Sequence, residues 1–403
     1  MTKTPSRPLF ILAVLVLLTG CKPDAPVALE DQNAVTAFAL QHFVDSNEIS
    51  GAVTLVTGPD RILGFEAFGV ADIEARRPMR KDAIFWIASM TKPITSMGVM
   101  MLVEQGKVKL DDPVEKYIPA FKGQKVAGPG GLSSPKRPVT VKDLLTHTCG
   151  LTGKSVTPAN QPSDTASLQE QCDFYGEEPL QCEPGSKWAY SNAGMNTLGR
   201  IIEVVSGKSY GDYIQENFFT PLGMTETGFW PSQELQARLA VAYKKDKQTG
   251  ELVAAKNTRF SQPLDNPRRS PMPAGGLFSC AEDLAKLYQM ILNDGTAGGR
   301  TYLKKATLRQ MTTNQLGDLP KVSFAEGMHM GLGFHIVHEP KEVTESLTVG
   351  SFGHGGAFGT QAWIDPVAKR AYILLIQRVD LPNSDRSDIR REFQKTAKET
   401  YAR

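Results

Sequence analysis

Cysteine is scarce in this chain, with five in 403 residues. No two stand in a C-x-x-C pair, so nothing in their spacing suggests a zinc site. An excess of one charge is missing too: the formal net charge is +2. No basic stripe with interleaved aromatics appears, which argues against nucleic acid as a partner. There is no visible repeat or low-complexity tract, and the N-terminal apolar run, residues 9–18, is too short to span a bilayer. His329, His335 and His338 resemble a metal cluster only on paper. His335 and His338 are an odd number of residues apart on an expected strand and face opposite sides. No metal and no cofactor is expected. What is present is ordinary for a globular protein with a substantial core: 41% apolar and 22% charged residues. The length allows one large domain or two joined ones.

Lys3 and Arg7 precede the apolar run, and the run ends in Leu18-Thr19-Gly20-Cys21. This fits a signal-peptide core, and its end resembles the lipobox of bacterial lipoproteins. That resemblance implies cleavage before Cys21, lipid on its thiol and a membrane reached through that lipid. Residues 1–20 are then a signal peptide and 21–32 a tether. Lys22, in place of Asp, resembles the outer-membrane sorting class. The expected location is the periplasmic face of the outer membrane, or else the outer face of the cell membrane. An exported protein can oxidise its thiols. Cys172 and Cys182 flank a short polar loop that a disulfide could close, although the four remaining cysteines allow three connectivities.

Periodicity predicts a helix over 34–44, strands over 52–57 and 62–70, and a helix over 93–104. Thr140 is a capping threonine for a short helix that stops near Gly150. A helix over 192–206 ends at Gly207, a suitable C-cap. Another helix covers 281–293. Strand-like segments follow at 331–337, 359–364 and 371–377, and a terminal helix at 387–403. Helices and strands at both ends with a loop-rich helical middle, residues 107–270, predict an α/β fold with an inserted helical region.

The chemistry concentrates at Ser89-Met90-Thr91-Lys92. The stretch follows the apolar run Phe85-Trp86-Ile87-Ala88 and opens a helix, so residues three apart share a face and the Ser89 hydroxyl can meet the Lys92 amine. Free N–H groups and the dipole at a helix N-terminus favour developing negative charge there. Lysine can act as the base once burial or nearby cations lower its pKa. The same pattern recurs at Ser133-Ser134-Pro135-Lys136, within a Gly/Pro-rich loop where no helix would hold the pair together. Tyr190-Ser191-Asn192 caps the 192–206 helix and offers a phenol and an amide. Gly353-His354-Gly355-Gly356-Ala357-Phe358-Gly359 precedes a strand, and its backbone can approach a ligand closely.

In order and rough spacing, Ser89-x-x-Lys92, Tyr190-x-Asn192 and His354-Gly355-Gly356 resemble the three motifs of the penicillin-recognising serine hydrolases. This is the group of class C β-lactamases, D-Ala-D-Ala carboxypeptidases and family VIII esterases. Further stretches look like that family's framework: residues 143–148 (Asp-Leu-Leu-Thr-His-Thr), Pro184-Gly185, Gly275-Gly276-Leu277-Phe278-Ser279 and Gly331-Leu332-Gly333-Phe334. The resemblance covers about residues 33–400 and implies a β-lactamase-like (transpeptidase-type) fold, an antiparallel sheet flanked by N- and C-terminal helices. It places an α/β part at about 33–106 and 271–403. It implies Ser89 as nucleophile, Lys92 and Tyr190 as general bases, and Asn192 as an orienting amide. The N–H groups of Ser89 and Ala357 would form the oxyanion hole. His354 stands where the family has lysine, and Gly355 where it has a hydroxyl residue. A neutral imidazole offers a substrate carboxylate less than a lysine does, so a small-molecule ester is favoured over an amide, with peptidoglycan as a further partner. Three rivals remain: a D-Ala-D-Ala carboxypeptidase or β-lactamase-type amide hydrolase using the same Ser89, a G-x-S-x-G elbow at Ser209, and a non-catalytic, lipid-anchored module that binds peptidoglycan or a partner.

Overall fold

The computed structural model describes residues 34–153, 164–255, 259–317, 324–381 and 384–402, together with Met1, Pro162 and Leu319. The lipobox and Cys21 lie outside them. The chain opens with α1 (Val35–Asp45), β1 (Gly51–Thr57), β2 (Ile62–Asp72) and the short β3 (Arg77–Pro78). Next come α2 (Thr91–Glu104), α3 (Val141–Leu145), α4 (Leu168–Glu177), α5 (Asn192–Ser206) and α6 (Ala281–Leu292). The last part supplies β4 (Met328–Met330), β5 (His335–Val337), β6 (Phe352–Gly355), β7 (Gln361–Asp365), β8 (Arg370–Leu375) and α7 (Asp388–Thr400).

The eight strands form one sheet in the order β4-β5-β6-β7-β8-β1-β2-β3, and every pairing is antiparallel. N- and C-terminal strands therefore meet in mid-sheet, with Val53 opposite Leu375. Every residue of β1 is buried, because both faces of that strand are covered. Gln289 of α6 donates to Thr57 Oγ1 from one side. Thr36 of α1 bonds Thr54 at 2.8 Å from the other. The N-terminus of α1 is capped from the sheet: Glu66 accepts from the amides of Thr36 (3.3 Å) and Ala37 (2.5 Å), satisfying orphan donors with a charge of favourable sign. α1 packs on α7.

The predicted elements hold, with two corrections. Residues 331–337 are not one strand. Gly333 takes φ +82° and Gly331 N bonds Phe334 O at 2.8 Å, so residues 331–334 form the turn between β4 and β5, and only 335–337 are strand. The middle region also carries short hairpins, 126–133 and 243–254, besides its helices. The expected Cys172–Cys182 disulfide is absent: Cys149, Cys172, Cys182 and Cys280 are all free. Cys172 lies on the buried face of α4, where its thiol meets Thr197 of α5, while Cys182 sits in the loop beside Gly150. Burial pushes the Cys172 thiol well above its usual range.

Candidate active site

Ser89 sits where strand becomes helix. Phe85–Trp86 is a short strand, Ala88–Met90 forms a 3-10 turn, and α2 continues from Thr91. Ala88 adopts φ +45°, a left-handed conformation costly for a residue with a β-carbon. Two contacts hold it: Thr91 Oγ1 donates to Ala88 O at 2.7 Å, and Gly275 lies against its backbone. The Gly-rich stretch 274–277 is therefore the backing of the Ser89 turn. Ile87 N bonds Leu277 O at 3.0 Å, and Trp86 Nε1 bonds Gly275 O at 2.7 Å.

The predicted pair is formed. Lys92 Nζ donates to Ser89 Oγ at 3.0 Å and to Ala274 O at 2.5 Å. Tyr190 Oη donates to the same Ser89 Oγ at 2.9 Å, and the ammonium nitrogen lies 4.7 Å from the centre of the Tyr190 ring. Lys92 is wholly buried. Desolvation, reinforced by Arg259, holds its amine well below the usual lysine range despite the opposing pull of Asp385. Desolvation moves Tyr190 the other way, above the usual phenol range. The two partners of Ser89 are thus unequal: a lysine that loses its proton readily and a tyrosine that keeps it.

The framework stretch Asp143 to Thr148 positions Tyr190. Asp143 closes a capping box with Thr140 and receives Arg137 in two hydrogen bonds, of 2.5 and 2.8 Å. His147 follows at φ +57°, and its carbonyl accepts from Ala189 N at 2.8 Å. Its Nδ1 accepts from Ser191 N at 3.2 Å. Both neighbours of Tyr190 are thereby fixed.

Tyr190 closes a ring of aromatic groups. His147 lies 4.6 Å from it, centre to centre, and His354 6.3 Å. His335 is 4.9 Å from His354, and Trp188 bridges His335 and His147 at 6.4 and 6.2 Å. All three imidazoles are buried, and burial drives each well below the ordinary histidine range. They are neutral, and two tautomers follow from their partners. His147 accepts at Nδ1, so its Nε2 carries the proton. His354 Nδ1 faces Gly355 O at 2.6 Å and donates, so its Nε2 is an acceptor. The sequence singled out His354 for this site; it missed His147 and Trp188, and it read His335 only as a failed metal ligand. His147 lay inside a quoted framework motif, so its position was the available signal.

The third motif splits between β6 and the turn after it. Gly356 packs so closely on Ile87 O that a β-carbon would meet it at 2.5 Å, and Thr360 Oγ1 donates to the same carbonyl at 3.2 Å. These contacts dock the turn holding Ala357 against the turn holding Ser89. Asn192 is not bonded to Lys92; its amide donates to Gly153 O at 3.0 Å. Ser209 caps a short helix and donates to Asp212 Oδ2 at 2.6 Å. The helix α5 precedes it, not the strand that a nucleophile elbow requires. Ser133 lies on an exposed hairpin strand.

The beta-lactamase family model matches residues 38–397. The chain belongs to that family. As a member it is a serine hydrolase. It is 33% identical over 359 residues to an uncharacterized protein of Mycobacterium tuberculosis, covering 84% of this chain and 88% of that one. Esterase EstB of Burkholderia gladioli is 35% identical over 204 residues, 48% of this chain and 50% of EstB. D-alanyl-D-alanine-carboxypeptidase/endopeptidase AmpH of Escherichia coli is 27% identical over 93% of this chain and 92% of AmpH. In three dimensions the fold matches EstCE1, a hydrolase with promiscuous acyltransferase activity, at TM-score 0.75 and 23% identity over 90% of this chain and 97% of EstCE1.

Proposed function

We propose that the protein hydrolyses small esters through a covalent acyl-enzyme on Ser89. Lys92 is the base, Tyr190 the proton-carrying partner, and the N–H groups of Ser89 and Ala357 the oxyanion donors. The observation that carries this reading is the pair of hydrogen bonds converging on Ser89 Oγ, 3.0 Å from Lys92 and 2.9 Å from Tyr190. Ser89 Oγ attacks the ester carbonyl carbon while its proton passes to Lys92 Nζ. The oxyanion collects against the two amides. The carbonyl re-forms, the alkoxide leaves, and it takes the proton through Tyr190. Water then cleaves the Ser89 ester by the reverse sequence, releasing the acid and restoring the hydroxyl.

The ester preference is supported by His354. Where a lysine would offer a substrate carboxylate a charge-assisted bond of about 1.5–3 kcal/mol, this chain presents a buried neutral imidazole. A panel of p-nitrophenyl butyrate, nitrocefin and a D-Ala-D-Ala peptide tests it. Butyrate should be turned over fastest, and a fluorophosphonate adduct should map to the peptide containing Ser89. Efficient nitrocefin or peptide hydrolysis would shift the assignment to the amide-cleaving side of the family. An adduct on Ser209 would overturn the mechanism.

Anchoring through Cys21 belongs to the same proposal, supported by Leu18-Thr19-Gly20-Cys21. One acyl chain binds membranes only marginally, so stable anchoring implies several. Wild type should incorporate labelled palmitate and partition with membranes, and Cys21→Ser should do neither. Equal labelling of the two would sink it.

A further inference from the structure

Trp86 and Phe358 border the Ser89 turn. Trp86 stands three residues before Ser89, its Nε1 donates to Gly275 O, and Gly275 lies against the backbone of Ala88. Phe358 directly follows Ala357. The two rings meet edge to face, 4.6 Å between centres and 89° between planes. Together with Phe278 they form the aromatic wall of a cavity of about 390 Å³, a size within the roughly 300–1,000 Å³ of small-molecule sites. Alanine makes the room. Ala237, Ala240, Ala242 and Ala255 line the same cavity, and Ala255 N donates to Ala242 O at 2.7 Å. Larger side chains at these positions would fill it. Asp72 and Arg77, both half-buried, bring one charge of each sign. Both are engaged locally: Asp72 Oδ1 accepts from Ala75 N at 3.0 Å, and Arg77 Nη2 donates to Leu239 O at 2.7 Å. What remains for a ligand is aromatic and aliphatic surface.

We propose that this cavity is an acyl-chain subsite, taking an uncharged, medium-length apolar acyl group while the ester carbonyl sits between the amides of Ser89 and Ala357. The inference rests on the acyl-enzyme reading of Ser89 and deepens it by naming the acyl part of the substrate. Tyr190 sets the side. In that reading the leaving alkoxide takes its proton through Tyr190, so the alcohol lies beside the phenol. Tyr190 packs with Trp188, Leu316 and Met330, whereas Trp86, Phe278 and Phe358 belong to a separate apolar cluster. The acyl chain is left the second cluster and the cavity it borders. Each methylene buried there favours binding about fourfold, so chain length registers in kcat/KM.

Two p-nitrophenyl esters, acetate and octanoate, read the subsite. In wild type kcat/KM for octanoate should exceed that for acetate by at least about thirtyfold, the effect of two to three buried methylenes. Ala237→Trp and Ala255→Trp, made singly, place an indole in the cavity from an exposed and a half-buried position. Each should lower the octanoate-to-acetate ratio by about tenfold. A second measurement needs no variant. Methyl octanoate and heptyl acetate are isomers that carry the chain on opposite sides of the ester. Wild type should favour methyl octanoate by at least about tenfold in kcat/KM. A ratio indifferent to both indoles overturns the subsite, and a smaller or reversed preference between the isomers overturns its assignment to the acyl side. Activity that survives Ser89→Ala overturns the acyl-enzyme reading instead, so the failures are distinguishable.

Discussion

Two walls of one cleft follow different rules. On the wall built by α2 and the Tyr190 loop, each sequence motif lands as its spacing required, and hydroxyl, amine and phenol converge within 3.0 Å. On the wall built by β6, lysine and hydroxyl residue have given way to His354 and Gly355. A carboxylate from a segment 30 residues downstream fills the vacated space. The difference separates two demands. Proton transfer fixes residue types and distances tightly, because a misplaced base loses its reach. Recognition tolerates replacement, because a contact can be supplied from any element that reaches the site.

The sharpest way to break the contrast is at Ser89, the proposed nucleophile. Ser89→Ala should lower kcat/KM by at least about 10³-fold, as in comparable catalytic units, while Ser209→Ala leaves it unchanged. Hydrolysis of p-nitrophenyl butyrate reads both. Next, Lys92→Ala and Tyr190→Phe should each cost about 10²–10⁴-fold, with the double variant far from additive. The wild-type pH profile carries the same information. In the proposed mechanism Lys92 is the base and works only when deprotonated, so kcat/KM should rise with pH through a midpoint well below the usual lysine value of 10.5. It should show no alkaline fall from Tyr190, whose proton is held more tightly than usual. A midpoint near the free-lysine value would contradict the burial argument.

The histidine ring gives a smaller effect, on stability. His147, His335 and His354 are neutral in the fold, with His335 lowered from 6.5 to about 3. Below pH 6.5 the unfolded chain takes up protons that the folded one refuses, so stability falls as pH drops toward about 3. Each such histidine contributes a slope of about 1.4 kcal/mol per pH unit once fully engaged. Urea unfolding between pH 4 and 7 should show this steep acid limb, and His335→Phe should flatten it. The smallest effect concerns the cysteines. With all four thiols of the described residues free, dithiothreitol should leave the melting temperature unchanged. A drop would reveal a crosslink.

Ser89, Lys92 and Tyr190 were legible because a helix converts sequence spacing into geometry, and three ordered motifs restrict the fold. Element positions were legible for the same reason, as at α5, where Ser191 and Gly207 mark the ends. Asp385 was not legible. It belongs to no motif: the register between β6 and β7 sets Gln361 opposite Gly355, and Asp385 arrives from the separate 384–386 turn to meet Gln361. His335 does face away from His338, as alternation requires, and meets His354 and Trp188 instead; alternation reports which face a residue takes, not which neighbours that face will meet. Cys172 and Cys182 look paired by separation alone, but helix α4 turns one of them inward.

The mid-sheet meeting of β1 and β8 has a consequence for how the molecule comes into being. Synthesis releases β1, β2 and the Ser89 helix early, yet the partner of Val53 is Leu375. Until that strand arrives, one edge of β1 has no native neighbour and is open to pairing with another chain. Closing so long a loop is slow and exposes apolar strands meanwhile. A chain interrupted before residue 370 would carry Ser89, Lys92 and Tyr190 in full and still lack the strand that joins the two halves of the sheet. Chemical competence is therefore tied to completion of the polypeptide, and fragments should be silent as catalysts and prone to self-association.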